Sequence, residues 1–158
     1  MIFEGKFLVE APREKVWDFL WDTEKVSKCM PGVIKVEENA EGGSYSVLVK
    51  TKVGFLSTTF DLAVRVLEKD PPQRISSLFE GKDSRIASRI KQVNTMELIE
   101  VSDSQTEVRY KSEVTLTGKL ATLGLSIVKR KAKQLMTAFG DNIKKQIEES
   151  KTGKSSKG

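Results

Sequence analysis

A chain of 158 residues with 38% hydrophobic and 31% charged side chains is long enough to bury one sizeable core, which argues against wholesale disorder and against several domains. No apolar run approaches the ~20 residues that span a bilayer, and a single cysteine, Cys29, excludes an internal disulfide. Histidine is absent, which removes Ser-His-Asp and Cys-His nucleophile pairs and nearly every zinc site that one cysteine could join; the net charge of +5 and pI near 9.3 favour anionic partners.

The chain opens on a strand. Phe3, Phe7 and Val9 alternate with Glu4 and Lys6 over residues 2–9, the period of a half-buried strand. The start MIFEGKFLVE has neither the basic n-region nor the apolar h-region of a secretory signal, so a cytoplasmic location is expected. Pro12 suits a first helical turn, and Val16, Phe19 and Leu20 follow at spacings of three and four, which predicts a short amphipathic helix over 12–20. Trp17 and Trp21 share one of its faces and are expected to anchor it to a sheet. A second short helix, from Asp22 as N-cap to about Lys28, stops at Met30-Pro31-Gly32. Cys29 reads as a small buried hydrophobe rather than a reactive thiol.

From Val33 to Thr117, strand-like runs are separated by turn chemistry at Gly42-Gly43, Gly54, Asp70-Pro71-Pro72, Gly81-Lys82-Asp83 and Ser102-Asp103-Ser104, predicting an antiparallel meander. Leu56, Thr58, Phe60, Leu62, Val64 and Val66 alternate with Thr59, Asp61 and Arg65. Val108, Tyr110, Ser112, Val114 and Leu116 alternate with Glu107, Arg109, Lys111 and Glu113. Tyr45, Val47, Val49, Thr51 and Val53 obey the same rule, so at least three strands share an apolar face that another element must cover. Gly54 and Phe55 form a hairpin tip, with a packed Phe55 expected and an exposed apolar contact for a membrane or partner as the alternative.

The cover is the segment from Gly118 to Glu149, where Leu120, Leu123, Ile127, Val128, Leu135, Phe139, Ile143 and Ile147 recur at helical spacing over roughly 45 Å. This order of elements is α+β. It predicts one domain over 1–149 and a flexible basic tail, SKTGKSSKG, over 150–158. Charge is uneven, since residues 118–158 hold ten Lys and Arg against three Asp and Glu. Lys129, Arg130 and Lys133 are therefore candidate contacts for an anionic membrane or a partner, with a plain solvated helix face as the alternative. Nucleic acid is not an expected partner, because no recognition motif appears and few aromatics interleave with the charge.

The element order, with Ala11-Pro12 ahead of a V-W-x-F-L helix, resembles the START-like helix-grip superfamily (SRPBCC), which includes pollen allergens, lipid-transfer domains and polyketide cyclases. Four stretches narrow the resemblance to the G-subunit family of carbon monoxide dehydrogenase: FEGKFLVEAPREKVWDFLWDTEKVSKCMPG at 3–32, KVGFLSTTFDLAVRVLEKDPP at 52–72, GKDS at 81–84 and GKLATLGLSIVKRKAKQLMTAF at 118–139. The resemblance implies a curved antiparallel sheet of about seven strands wrapped on a long C-terminal helix, with two short helices after strand one and a hydrophobic cavity in the grip. Phe60, Leu62, Tyr110, Ser112, Leu123, Ile127 and Leu135 are the candidate ligand-binding residues, with Tyr110 and Ser112 as orienting groups and a filled core as the alternative. Cys29, Met30 and Pro31 mark either the mouth of the cavity or a structural turn.

The resemblance further implies a non-enzymatic adaptor that binds a lipid or quinone. Such a protein supports a molybdenum-containing carbon monoxide dehydrogenase through membrane recruitment or quinone binding, peripherally at the inner face of the membrane and without metal or resident cofactor. Two alternatives stay open. One is a general carrier of lipids or other hydrophobic ligands. The other is a cyclase-type enzyme in which Glu97 or Glu113 acts from inside the cleft, although Glu113 alternates to the wet face. The chain departs from the family pattern after Ser84: Arg85, Ile86, Arg89, Ile90, Lys91 and Gln92 stand where the family usually carries Gly, Ala and Ser. A narrower cleft or a displaced mouth is expected.

Overall fold

The computed structural model describes the backbone of residues 1–39 and 43–152 and the side chains through Glu149. Seven strands run as β1 (Ile2–Val9), β2 (Val33–Glu38), β3 (Ser44–Val53), β4 (Leu56–Asp70), β5 (Arg74–Asp83), β6 (Ser88–Ser102) and β7 (Gln105–Gly118). Two short helices, α1 (Arg13–Trp21) and α2 (Thr23–Ser27), follow β1, and α3 (Leu125–Thr152) follows β7. The strands form one antiparallel sheet in the order β1-β7-β6-β5-β4-β3-β2. The first strand thus pairs with the last, and the meander of hairpins fills the rest.

Period-2 alternation sets the two faces, and register aligns them across strands. Tyr45, Val47 and Val49 of β3 stand opposite Val64, Leu62 and Phe60 of β4, and Leu98 of β6 stands opposite Val108 of β7, which faces Phe7 of β1. The register shifts between Val66 and Glu68 and again between Glu100 and Ser102. Bulges of this kind raise local twist and bend a sheet, here around α3.

The core has two separate parts. At one end Val9, Ala11, Val16, Trp17, Leu20, Cys29, Leu98, Val108, Ile143 and Ile147 pack together. Ile143 and Ile147 are 0% and 1% exposed, and burial of such a side chain contributes about 2 kcal/mol. Gly140 brings α3 close to β1, since an added Cβ would lie 3.1 Å from the Phe7 ring. At the other end Val53, Leu56, Phe60 and Leu120 pack with Leu62, Ile90, Leu116, Leu123 and Ile127.

Several expectations are corrected. Gly81-Lys82-Asp83 is not a turn but the end of β5; the chain turns through a 3-10 helix at Ser84–Ile86, with Ala87 in the left-handed region at φ 47°. The C-terminal helix begins at Leu125 rather than Gly118. Lys119–Leu123 form a 3-10 helix bounded by Gly118 at φ 86° and Gly124 at φ 99°, which leaves α3 with 28 residues and a length of about 42 Å. Phe55 is 75% exposed, because Gly54 and Phe55 alone link β3 to β4 and a two-residue hairpin loop turns its second side chain outward. Of the tryptophans only Trp17 is anchored in the core; Trp21 is 39% exposed and stacks on it with centroids 6.2 Å apart. Lys69 Nζ lies 3.8 Å above the Trp21 ring, a cation–π contact that shields it. α3 runs to Thr152, and Gly42 and the part of the expected tail from 153 onward lie outside the described residues.

Candidate functional site

The concave face is built of cross-strand rows. At the first end, Ile75, Met96, Tyr110 and Gly5 stand side by side on β5, β6, β7 and β1. The next row is Val66, Ser77, Asn94, Ser112 and Phe3, and the one after it Tyr45, Val64, Phe79, Gln92 and Val114. Apart from Met96 and Ile75, which lean on the first cluster, none of these residues belongs to either cluster. Most are half-buried, as are Leu135 and Met136 of α3. β6 and β7 have a strand on each side, so partial exposure of Gln92, Asn94 and Tyr110 arises on the side facing α3.

Polar groups occupy this band. Gln92 Nε2 donates to Asn94 Oδ1 at 2.9 Å and to Ser112 Oγ at 3.5 Å, and Ser112 Oγ also donates to Asn94 Oδ1. The Tyr110 ring lies across Gly5, where an added Cβ would meet its hydroxyl at 2.1 Å. That hydroxyl has no hydrogen-bond partner among the described residues, and burial pushes the phenol above its ordinary value.

The expected ligand-binding residues divide between two places. Phe60, Leu62, Leu123 and Ile127 pack into the second cluster, whereas Tyr110, Ser112 and Leu135 lie in the half-buried band. Cys29 is 4% exposed in the first cluster, burial pushes its thiol up, and Asn142 Nδ2 donates to its carbonyl at 2.8 Å. Met30 and Pro31 are half-buried beside it. Glu97 and Glu113 both stand exposed on the outer face. They border a depression of about 720 Å³ that is lined mostly by charged residues of the outer face and also by Gly5, Thr95 and Tyr110.

A buried carboxylate organises the second end. Asp83 is 3% exposed and accepts from Thr58 Oγ1 at 3.0 Å, Thr59 N at 2.8 Å and Arg85 N at 3.0 Å, with the Arg85 guanidinium at 3.3 Å. Burial pushes its carboxyl up, but these donors outweigh it and hold the group below the usual carboxylate range. The hairpin tip lies against α3 here, since a Cβ on Gly54 would touch Ile127 and Leu123. Leu125, 56% exposed, and Phe55 thus share one end of the molecule with exposed Lys52, Lys119, Lys129, Arg130 and Lys133. Across residues 49–60, 81–92 and 114–140, which build this end, Asp83 is the sole carboxylate.

A family model described as the G subunit of carbon monoxide dehydrogenase (CoxG) matches residues 5–148. The chain belongs to the CoxG family. Among solved structures, a conserved protein from Geobacillus kaustophilus is similar to this CoxG-family chain with TM-score 0.84 and 24% identity, over 95% of this chain and 97% of that one. A START superfamily protein from Mycobacterium smegmatis gives TM-score 0.68 at 12% identity over 94% and 97% of the two chains. A Streptomyces aromatase/cyclase gives TM-score 0.67 at 16% identity over 94% and 93%. These likenesses establish the START-like helix-grip fold. No curated protein matches the chain.

In this CoxG-family chain the departure after Ser84 has a definite placement. Arg85, Arg89 and Lys91 are exposed, Ile90 enters the second cluster, and Gln92 joins the polar band. Gln92, Asn94 and Ser77 are the functional candidates that sequence reasoning missed. Stepping by two from Ser88 through Ile90, Gln92, Asn94 and Met96 to Leu98 would have put them on the inward face. Among the described residues no helix is long and apolar enough to cross a membrane.

Proposed function

We propose that this protein holds a hydrophobic small molecule, a lipid or quinone, between the concave sheet face and α3 without catalysing a reaction. The division of the core carries the reading. Protein interiors are normally packed to crystal density; between the two clusters Val47, Val64, Ser112 and Val114 are buried, but most of their neighbours on the concave face stay half-buried and available to a guest. Tyr110, Ser112 and Leu135 belong to that band, while Phe60, Leu62, Leu123 and Ile127 form its floor at one end. A cyclase-type reaction is disfavoured, because both glutamates that could act as acid or base stand on the opposite face.

Family membership supports a role beside a molybdenum-containing carbon monoxide dehydrogenase, through membrane recruitment or quinone binding. The basic end with Phe55 and Leu125 suits peripheral contact with an anionic leaflet, where each nearby Lys or Arg contributes about 1 kcal/mol. Lys129, Arg130 and Lys133 are the residues assigned to that contact, and Cys29, Met30 and Pro31 to the opposite mouth. Native mass spectrometry of freshly purified protein, followed by solvent extraction, tests the reading. Recovery of a stoichiometric quinone or lipid supports it; protein that is persistently empty and takes up no apolar probe overturns it.

A further inference from the structure

The polar row at the middle of the grip is only half satisfied by the protein. Asn94 Oδ1 accepts from both Gln92 Nε2 and Ser112 Oγ, which fills its two lone pairs, and Gln92 Nε2 spends its hydrogens on Asn94 and Ser112. Left over are the Asn94 amide hydrogens, the Gln92 carbonyl oxygen and the Ser77 hydroxyl, none with a partner among the described residues. None of these atoms is sealed from solvent. Ser77, Asn94 and Ser112 are direct neighbours on β5, β6 and β7, so the free donors form one contiguous patch with Val66 and Phe3 at its flanks.

Water satisfies these open groups, and a guest that displaces it must repeat those hydrogen bonds or lose affinity. We infer that Asn94, Gln92 and Ser77 form a head-group subsite that receives a carbonyl oxygen on an otherwise apolar molecule. The Asn94 amide and Ser77 hydroxyl donate to that oxygen, and the Gln92 carbonyl accepts from any neighbouring hydroxyl. The ligand's apolar body then extends along the band toward Leu135 and the second cluster. The subsite rests on the proposed function above and, among the molecules named there, selects one whose carbonyl oxygen can reach Asn94 and Ser77.

Competition against a fluorescent apolar dye, with 2-nonanone and n-nonane as probes, tests the subsite on the full chain. Corrected for each probe's partition from water into hexadecane, the ketone is expected to bind roughly tenfold better than the alkane, the weight of one hydrogen bond made in a water-poor site. The double substitution Gln92→Leu and Asn94→Leu is expected to erase that preference. Affinities of the two probes for the unaltered protein that simply follow their hexadecane partition overturn the subsite while the hydrophobic-ligand reading survives, and this comparison holds even if the variant does not fold. Displacement by neither probe overturns both.

Discussion

The side-chain amide of Asn142 on α3 donates to the backbone carbonyl of Cys29 at 2.8 Å, joining residues 113 positions apart. The bond ties the long helix to the turn that closes the α1–α2 pair. Asn142→Ala leaves that carbonyl unpaired and is expected to lower stability by about 1–2 kcal/mol. The local consequence is sharper. The Cys29 thiol, buried and raised in pKa, should react slowly with an aromatic disulfide in the native protein and several-fold faster in the variant. Equal labelling rates would mean that the bond does not restrain the turn.

Asp83 links the first residues of β4 to the turn before β6, and its low carboxyl pKa sets an acid limit on the fold. The folded pKa lies below the unfolded value of about 3.9, so in that interval the unfolded chain binds more protons. The stabilisation is therefore complete above the unfolded pKa and declines as pH falls through the folded one. Urea unfolding should show a midpoint that drops below about pH 4 in the native protein. Asp83→Asn should lose about 2 kcal/mol at neutral pH and show a shallower acid limb. Parallel acid limbs in the two proteins would remove Asp83 from this role.

Gly118 ends β7 at φ 86°, and a Cβ there would lie 1.8 Å from the Ala87 carbonyl oxygen. Neither the backbone angle nor the space admits a side chain. Gly118→Ala is expected to destabilise by about 2 kcal/mol or more, read as a lowered thermal midpoint. A variant of unchanged stability would show that the 3-10 helix after β7 can be rebuilt.

The basic end offers a direct membrane test. Protein mixed with vesicles of phosphatidylcholine plus phosphatidylglycerol should sediment, and raised salt should release it. Phe55→Ser combined with Lys129→Glu, both at exposed positions, should leave stability within about 0.5 kcal/mol while reducing binding several-fold. Equal sedimentation with purely neutral vesicles would remove the anionic surface from the account.

Much of the sheet was legible because alternation in β3, β4 and β7 is clean, with Val47, Phe60 and Val108 inward and Asp61, Arg109 and Lys111 outward. Alternation fixes which face a residue takes, but not where a strand ends. Gly81-Lys82-Asp83 has turn composition, yet Gly81 sits in β5 where an added Cβ would lie 2.2 Å from the Asp61 carbonyl oxygen, and Asp83 caps the turn that follows. The start of α3 was misplaced because Leu120 and Leu123 are three apart, a spacing that a 3-10 helix and an α-helix share over one turn. The site was legible only in part. Phe60, Leu62, Leu123 and Ile127 face inward as expected but pack on one another, since periodicity reports direction and not whether a gap remains. Gln92 and Asn94 were overlooked because polar residues in a strand are ordinarily assigned to the wet face.

Amide chemical-shift mapping during titration with 2-nonanone tests the central claim most directly. Saturable shifts confined to Ser77, Asn94, Ser112 and Leu135 are the expected result, with the packed ends around Ile147 and Leu120 unmoved. Shifts confined to the outer depression near Glu97 and Arg109, or none at all, would contradict it.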